Sequence, residues 1–275
     1  MSSHVTSAML KDQARNGQGF GAARVQARVL HALLAREILT RYGRHNIGFA
    51  WVIAEPMLFT LGIVLLWTMA KAVTMPGVSI AAFALTGYSS VLMWRNSATR
   101  ATQAVSTNWA LLYHRVVTPL DLYIARITLE VVAATGSLLG LSCLFMALDL
   151  MSAPVDLFKV LMAWLLLVGF AYAFGLFVGA LAATSEAFER LWHMLTYLLF
   201  PVSGAVFMVH WLAPAAREAV LWLPMVHGVE MLRAGWFGPA VRTYESPAYL
   251  IASTLVLAAA GVLLVRKSGR KVEPH

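Results

Sequence analysis

Side chains able to make or break covalent bonds are scarce in this sequence, and those present stand apart from one another. Cys143 is the single cysteine and lies within an apolar run, so no intrachain disulfide and no cysteine cage for a metal can form. The eight histidines are scattered, without the HExxH or comparable spacing that zinc requires. Nothing fits GxxxxGK[ST], the loop whose backbone amides cradle nucleotide phosphates. Gly17-Gln18-Gly19-Phe20-Gly21 has glycines but follows no strand and lacks the later glycine, and it reads as a linker. What the chain does offer is binding chemistry. Trp51, Tyr88, Trp94 and Trp109 supply flat aromatic faces, and Arg44, Arg95 and Arg100 supply guanidinium groups suited to anions. Aromatic girdles at membrane interfaces use the same rings.

The elements that must position these groups are helices in lipid. Of the 275 residues, 60% are hydrophobic and 12% charged, with a mean hydropathy of +0.71, whereas ordinary globular chains carry roughly a quarter charged residues. Six long apolar runs are legible, at 47–70, 78–94, 122–148, 158–184, 191–209 and 247–265. Each is near the ~20 residues that cross ~30 Å of hydrocarbon. Backbone amides have no water to bond there, so spans of this length must be helices. The expected fold class is all-α, a polytopic integral membrane protein with six transmembrane helices.

Charge fixes the expected orientation. The first 48 residues carry a net +5 and the tail after Val265 a net +3, whereas Arg217, Arg233 and Arg242 are balanced by Glu218, Glu230 and Glu245. Positive residues near span ends mark the cytoplasmic side, so both termini are expected there. Most of the formal +8 is thus a topology signal beside anionic headgroups, and no recognition fold accompanies it to suggest nucleic acid.

The expected organisation has four parts. Residues 1–23 are polar, have no apolar signal-peptide core and read as a flexible cytoplasmic arm. Residues 24–46 read as an amphipathic interface helix, with Leu30, Leu34, Ile38 and Tyr42 along one side, Arg36, Glu37, Thr40 and Arg44 towards the other, and Leu33 misplaced on the polar side. Residues 47–265 form the transmembrane domain and 266–275 a basic cytoplasmic tail. Within the domain, Pro214, Pro224 and Pro239 divide 210–245 into short re-entrant or surface helices on the outer side, with Trp211, Trp222 and Trp236 at the interface. Between the second and third runs lies a cytoplasmic loop with Arg95, Arg100 and Arg115, then Pro119 and Asp121, and Asp121 is placed to cap the third helix.

Charged and small residues inside the domain have structural readings. Arg126 and Glu130 are i,i+4 neighbours able to pair along one helix face, and Glu230 and Arg233, three apart, are expected to pair locally. Gly136 with Gly140, and Gly175 with Gly179, place small residues four apart and permit close helix approach. Pro56 disfavours the α conformation at Glu55, and an acid at the membrane edge needs a partner.

The segment from Arg41 to Pro56 (RYGRHNIGFAWVIAEP) resembles the start of the first span in permease subunits of type-2 ABC exporters of the capsular polysaccharide export family. The resemblance continues in Thr86-Gly87, in Trp94-Arg95-Asn96 with Arg100-Ala101, in the stretch from Asn108 to Asp121, and in the stretch from His227 to Phe237, so that it covers about residues 30 to 267. Two departures stand out: Leu223-Pro224 where the family often has Asn-Pro, and Glu186 with Glu189 where it often has an acid-poor turn. The resemblance implies a transport channel subunit without its own ATPase site, exporting lipid-linked capsular polysaccharide across the bacterial inner membrane. It implies that the chain has no cofactor of its own, ATP and magnesium being bound by a separate cytoplasmic subunit. The implied partners are a second copy of the chain, two such ATP-binding subunits, the lipid-linked polysaccharide, membrane lipids and a periplasmic polysaccharide export adaptor. It assigns the segment from Tyr113 through His114, Arg115 and Pro119 to Asp121 as the loop that couples to the ATPase. It also makes Trp51, Tyr88, Trp94 and Trp109, with Arg44, Arg95 and Arg100, candidates for lining a polysaccharide channel. O-antigen or teichoic-acid exporters share these features. A secondary transporter would need intramembrane acids or unwound half-helices near the midplane, and a membrane transferase a convergent acid, His or metal cluster; neither is legible in the sequence.

Overall fold

The computed structural model describes residues 24–41, 48–70, 77–113 and 117–272. No β-strand occurs among them. The helices are α1 (24–41), α2 (Gly48–Ala70), α3 (Ile80–Thr102), α4 (Pro119–Ala147), α5 (Leu157–Ala182), α6 (Glu186–Val202), α7 (Pro214–Val220), α8 (Pro224–Phe237) and α9 (Pro247–Val272), with a 3-10 segment at Ser106–Tyr113 and shorter turns at Val209–Trp211 and Gly238–Ala240. Polar side chains start several of them. Ser79 accepts from the Ala82 amide at the head of α3, Asp156 from Lys159 before α5, and Ser185 from Phe188 before α6, each taking up an amide that the helix itself leaves open. At α8 the Leu223-Pro224 departure leaves Leu223 as an N-cap with no side-chain bond.

Four helices are long and apolar enough to cross a membrane: Ala50–Ala70, Pro119–Ala147, Leu157–Ala182 and Pro247–Lys267. Two of the six expected spans do not reach that standard, for different reasons. Helix α3 has the length, but eighteen of its 23 residues are buried, many of them Ala, Ser and Thr; a helix wrapped by protein has no need of lipid-compatible side chains. Helix α6 has 17 residues and ends at Pro201 and Ser203, so the expected run to Val209 is cut short by an irregular segment. The Pro56 expectation also changes, because α2 continues through that proline without a break.

Helix α3 is the hub, packed on α2, α4 and α5, while α9 covers the far side of α5 and α8 fills the space between α5 and α9. Small residues make these approaches possible. A methyl group at Gly179 would stand 2.7 Å from the Tyr123 ring and 2.8 Å from Ala101, and one at Gly228 only 2.4 Å from Leu167. Gly136 and Gly140 receive Ile53 and Met57 of α2, at 3.0 and 3.2 Å from a notional methyl. Tight packing is thus the observed use of both glycine pairs.

Helix α8 departs furthest from a surface element, with twelve of its 14 residues buried. Its Glu230 and Arg233 do not pair as an i,i+3 couple. The Arg233 guanidinium lies 3.8 Å over the Phe83 ring and donates to the carbonyls of Gly204, Phe207 and Ala205, each at 2.6 Å, and more distantly to that of Phe83. Glu230 accepts from the amides of Val209 and Tyr244. The irregular chain after α6 cannot satisfy its own carbonyls, and in a dry interior a side chain must do it.

Candidate functional site

The basic end of the bundle is held by an interlocking set of ion pairs. Helix α1 turns Arg36, Glu37 and Arg41 towards the bundle: Arg36 donates to Asn108 at 2.8 Å, Glu37 meets Arg126 at 3.2 Å, and Arg41 meets Glu130 at 2.6 Å. Arg100 of α3 approaches the same Glu130 carboxylate at 3.6 Å. Arg126 and Glu130 therefore do not pair with each other along α4; each finds its partner on another helix. The expected stripe on α1 shifts for the same reason. Leu33 is buried in the main core, while Leu34 and Ile38 pack on Val52, Leu129 and Ala133, so part of the polar side also faces protein.

Asp121 completes this arrangement. It forms a capping box with Thr118, accepting from the Thr118 amide at 2.8 Å while the Thr118 hydroxyl accepts from the Asp121 amide. Gln26 of α1 donates to its other oxygen. With a relative exposure of 2%, Asp121 anchors the start of α4 rather than presenting a free charge. Pro119 is the first residue of that helix. Of the other proposed coupling residues, Tyr113 closes the 3-10 segment, and His114 and Arg115 lie outside the described residues.

Above the ion pairs, α2 and α6 stand apart with α3 as the floor between them, and α4 closes one side. The groove contains a cavity of about 380 Å³ lined by Glu55, Pro56 and Phe59 of α2, Arg95, Asn96 and Thr99 of α3, Glu130 of α4, and His193, Thr196 and Tyr197 of α6, among others. Trp192 pins α6 to the floor by donating to Thr99 at 3.1 Å. Arg95 lies 5.5 Å over the Tyr197 ring. Away from the cavity the groove becomes aromatic. Phe59 is 6.1 Å from Tyr88, Tyr88 is 5.5 Å from Phe200 and 5.6 Å from Trp67, Trp67 is 5.9 Å from Phe83, and Phe83 is 5.4 Å from Trp211. Rings thus follow one another from the polar cavity to the turn after α6.

The residues named from sequence divide accordingly. Arg95 and Tyr88 belong to the groove. Arg100 is taken up with Glu130, and Arg44 lies outside the described residues. Trp94 is fully buried against Phe174, leaving no face for a passing molecule. Trp51 and Trp109 are half exposed, on α2 and the 3-10 segment, and neither belongs to the ring series. Phe59, Trp67, Phe200 and His193 are groove residues that the sequence reading does not single out, while Trp211 is named there only as an interface ring and Asn96 only within the motif that carries the resemblance. Phe59 and Trp67 stand about two turns apart on one helix, which is a legible signal; nothing in linear order relates Phe200 or Trp211 to them.

A bundle of apolar spans flanking a polar-to-aromatic groove defines a polytopic membrane protein. The chain belongs to the ABC-2 type transporter family, which it matches over residues 28–237. It is 46% identical over 251 residues to the capsule polysaccharide export inner-membrane protein CtrC of Neisseria meningitidis serogroup B, and 43% identical over 251 residues to the capsule polysaccharide export inner-membrane protein BexB of Haemophilus influenzae. Each alignment covers 91% of this chain and 95% of the relative. The polysialic acid transport protein KpsM of Escherichia coli is more distant, at 27% over 242 residues, covering 88% and 94%.

Proposed function

We propose that this chain is the membrane-spanning permease of an ATP-driven exporter that moves lipid-linked capsular polysaccharide across the bacterial inner membrane. Its similarity to capsule export proteins over nine-tenths of its length supports the cargo and the location. The observation that carries the mechanism is the groove between α2 and α6. Polar groups at Glu55, Arg95, Asn96 and His193 would be costly against hydrocarbon, so this face meets a second copy of the chain or water. Two copies placed with these grooves facing would enclose one conduit. Aromatic faces stack on the C–H sides of sugar rings without fixing them, which suits a polymer that must slide.

In this reading six helices cross the membrane, α3 and α6 among them, and both termini lie in the cytoplasm. ATP is hydrolysed on separate subunits docked beneath the 3-10 segment and the loop to α4. Helix α1 lies along the headgroups and is bolted to α4 and α3 by the Glu37–Arg126 and Arg41–Glu130–Arg100 pairs, so that movement below reaches the spans as a rigid-body shift. The short elements from Val209 to Ala240 close the outer end, where a periplasmic adaptor would meet them. The test is export of polymer from vesicles reconstituted with the chain and its co-expressed ATPase. Transport must stop when either ATP or the ATPase is withheld; transport by the lone permease would overturn the reading.

A further inference from the structure

The cavity between α2, α3, α4 and α6 is charged in a particular way. Glu130 is compensated by Arg41 at 2.6 Å and Arg100 at 3.6 Å. Arg95, on the same wall, makes no ion pair and no side-chain hydrogen bond among the described residues, and its guanidinium lies 5.5 Å over the Tyr197 ring. Asn96 and His193 line the same space, and no hydrogen bond within the described residues occupies the side chain of either. A guanidinium, an amide and an imidazole thus converge on about 380 Å³, a volume in the range of small-molecule sites, with the Phe59 and Tyr197 rings, both exposed, as side walls. A cation at the margin of the hydrocarbon that has no ion pair among the described residues calls for an anion or water, and a planar guanidinium suits a carboxylate or phosphate held by two parallel bonds.

We propose that this cavity is a binding subsite for an anionic, polyhydroxylated group, a sugar acid or a sugar-linked phosphate, with Arg95 as its charge partner, Asn96 and His193 as donors and Phe59 and Tyr197 as stacking faces. This rests on the export reading and narrows it: the subsite selects acidic over neutral glycans or their phosphate anchors at the mouth of the groove. Of the two named arginines among the described residues, Arg95 serves and Arg100 is engaged by Glu130.

The full chain, purified with its ATPase subunit into phosphatidylcholine nanodiscs, tests this by titration with trigalacturonate and with the neutral galactotriose. The acidic trisaccharide is expected to bind at least tenfold more tightly, with the difference shrinking as salt rises, and Arg95→Gln to abolish the preference while Arg95→Lys retains part of it. A second arm measures phosphatidylglycerol retained through purification by native mass spectrometry. Arg95-dependent retention without an effect of the trisaccharide assigns the anion to a lipid phosphate, and the converse assigns it to the glycan. Equal affinity for the two trisaccharides, together with lipid retention indifferent to Arg95→Gln, overturns the subsite. The wild-type trisaccharide comparison and the displacement of retained phosphatidylglycerol by trigalacturonate need no variant, so an equal affinity with no displaceable lipid overturns the subsite even if Arg95→Gln does not fold. Export assays separate the two readings: a wild-type complex that exports polymer yet shows neither the anion preference nor Arg95-dependent lipid retention sinks the subsite alone, whereas one that exports no polysaccharide sinks the transport reading.

Discussion

Asp121 illustrates how a single side chain acquires its role from its surroundings. Its carboxylate closes a capping box and receives Gln26 from α1, so charge reversal there acts on folding before it can act on docking. Asp121→Lys is expected to remove the cap and bury an ammonium, lowering stability by about 2 kcal/mol or more; Asp121→Asn, which keeps an acceptor, should lose less. Thermal unfolding in detergent and membrane yield check this, and an unaltered melting temperature for Asp121→Lys would return the residue to the surface. Glu245, just ahead of α9, is the matching case at the other end. Burial pushes its carboxyl up, but bonds from Lys159 at 2.7 Å, from Thr243 and from its own backbone outweigh burial and hold it below the usual carboxylate value. A depressed carboxyl contributes stability that is present above its unfolded value and lost as pH falls through the folded one. Glu245→Gln should therefore cost about 1 kcal/mol at neutral pH, and the gap to wild type should close as pH falls through and below the ordinary carboxylate range, as followed by melting temperature against pH.

At the scale of elements, helix spacing decides which substitutions are tolerated. Gly87 faces the loop after α6, where a methyl would stand 2.3 Å from the Ala205 carbonyl and 2.7 Å from Arg233, whereas Gly62 on α2 has nothing within 4 Å. Gly87→Ala is expected to destabilise by about 2 kcal/mol, and Gly62→Ala to be neutral or stabilising by up to about 1 kcal/mol. The pair of melting curves separates overpacking from helix propensity. Arg233 extends the argument from one contact to a whole segment. Removing it as Arg233→Met strands carbonyls of Gly204, Ala205 and Phe207, at a cost of about 3 kcal/mol or more. Hydrogen exchange should show the opening confined first to the chain between α6 and α7, and protection unchanged there would refute the anchoring role.

For the whole molecule, the distribution of exposed side chains poses the question of what covers each face. Leu58, Leu65, Leu66 and Met69 on α2 and Met194, Tyr197 and Leu198 on α6 are exposed in the single chain, and they flank the polar groove. In a Cys143→Ser background, Leu65→Cys and Leu198→Cys are expected to cross-link between two copies in membranes, whereas Leu161→Cys on the outer face of α5 should not. Absence of cross-linking at both groove positions would place this face elsewhere.

Linear order was enough for the all-α class, for most of the long helices to within a few residues of their ends, and for close approach at the pairs Gly136/Gly140 and Gly175/Gly179, because helix formation and insertion into lipid depend on local composition; the approaches at Gly87 and Gly228 were not legible there. It did not determine that Arg126 pairs with Glu37 and Glu130 with Arg41, some ninety residues off, nor that α3 is wrapped by protein and Trp94 sealed inside. Those outcomes depend on how each helix is rotated about its axis and which neighbour it meets. Periodicity defines a face but not what stands opposite it, and only the packed tertiary structure brings Arg95, Asn96 and His193 to one cavity.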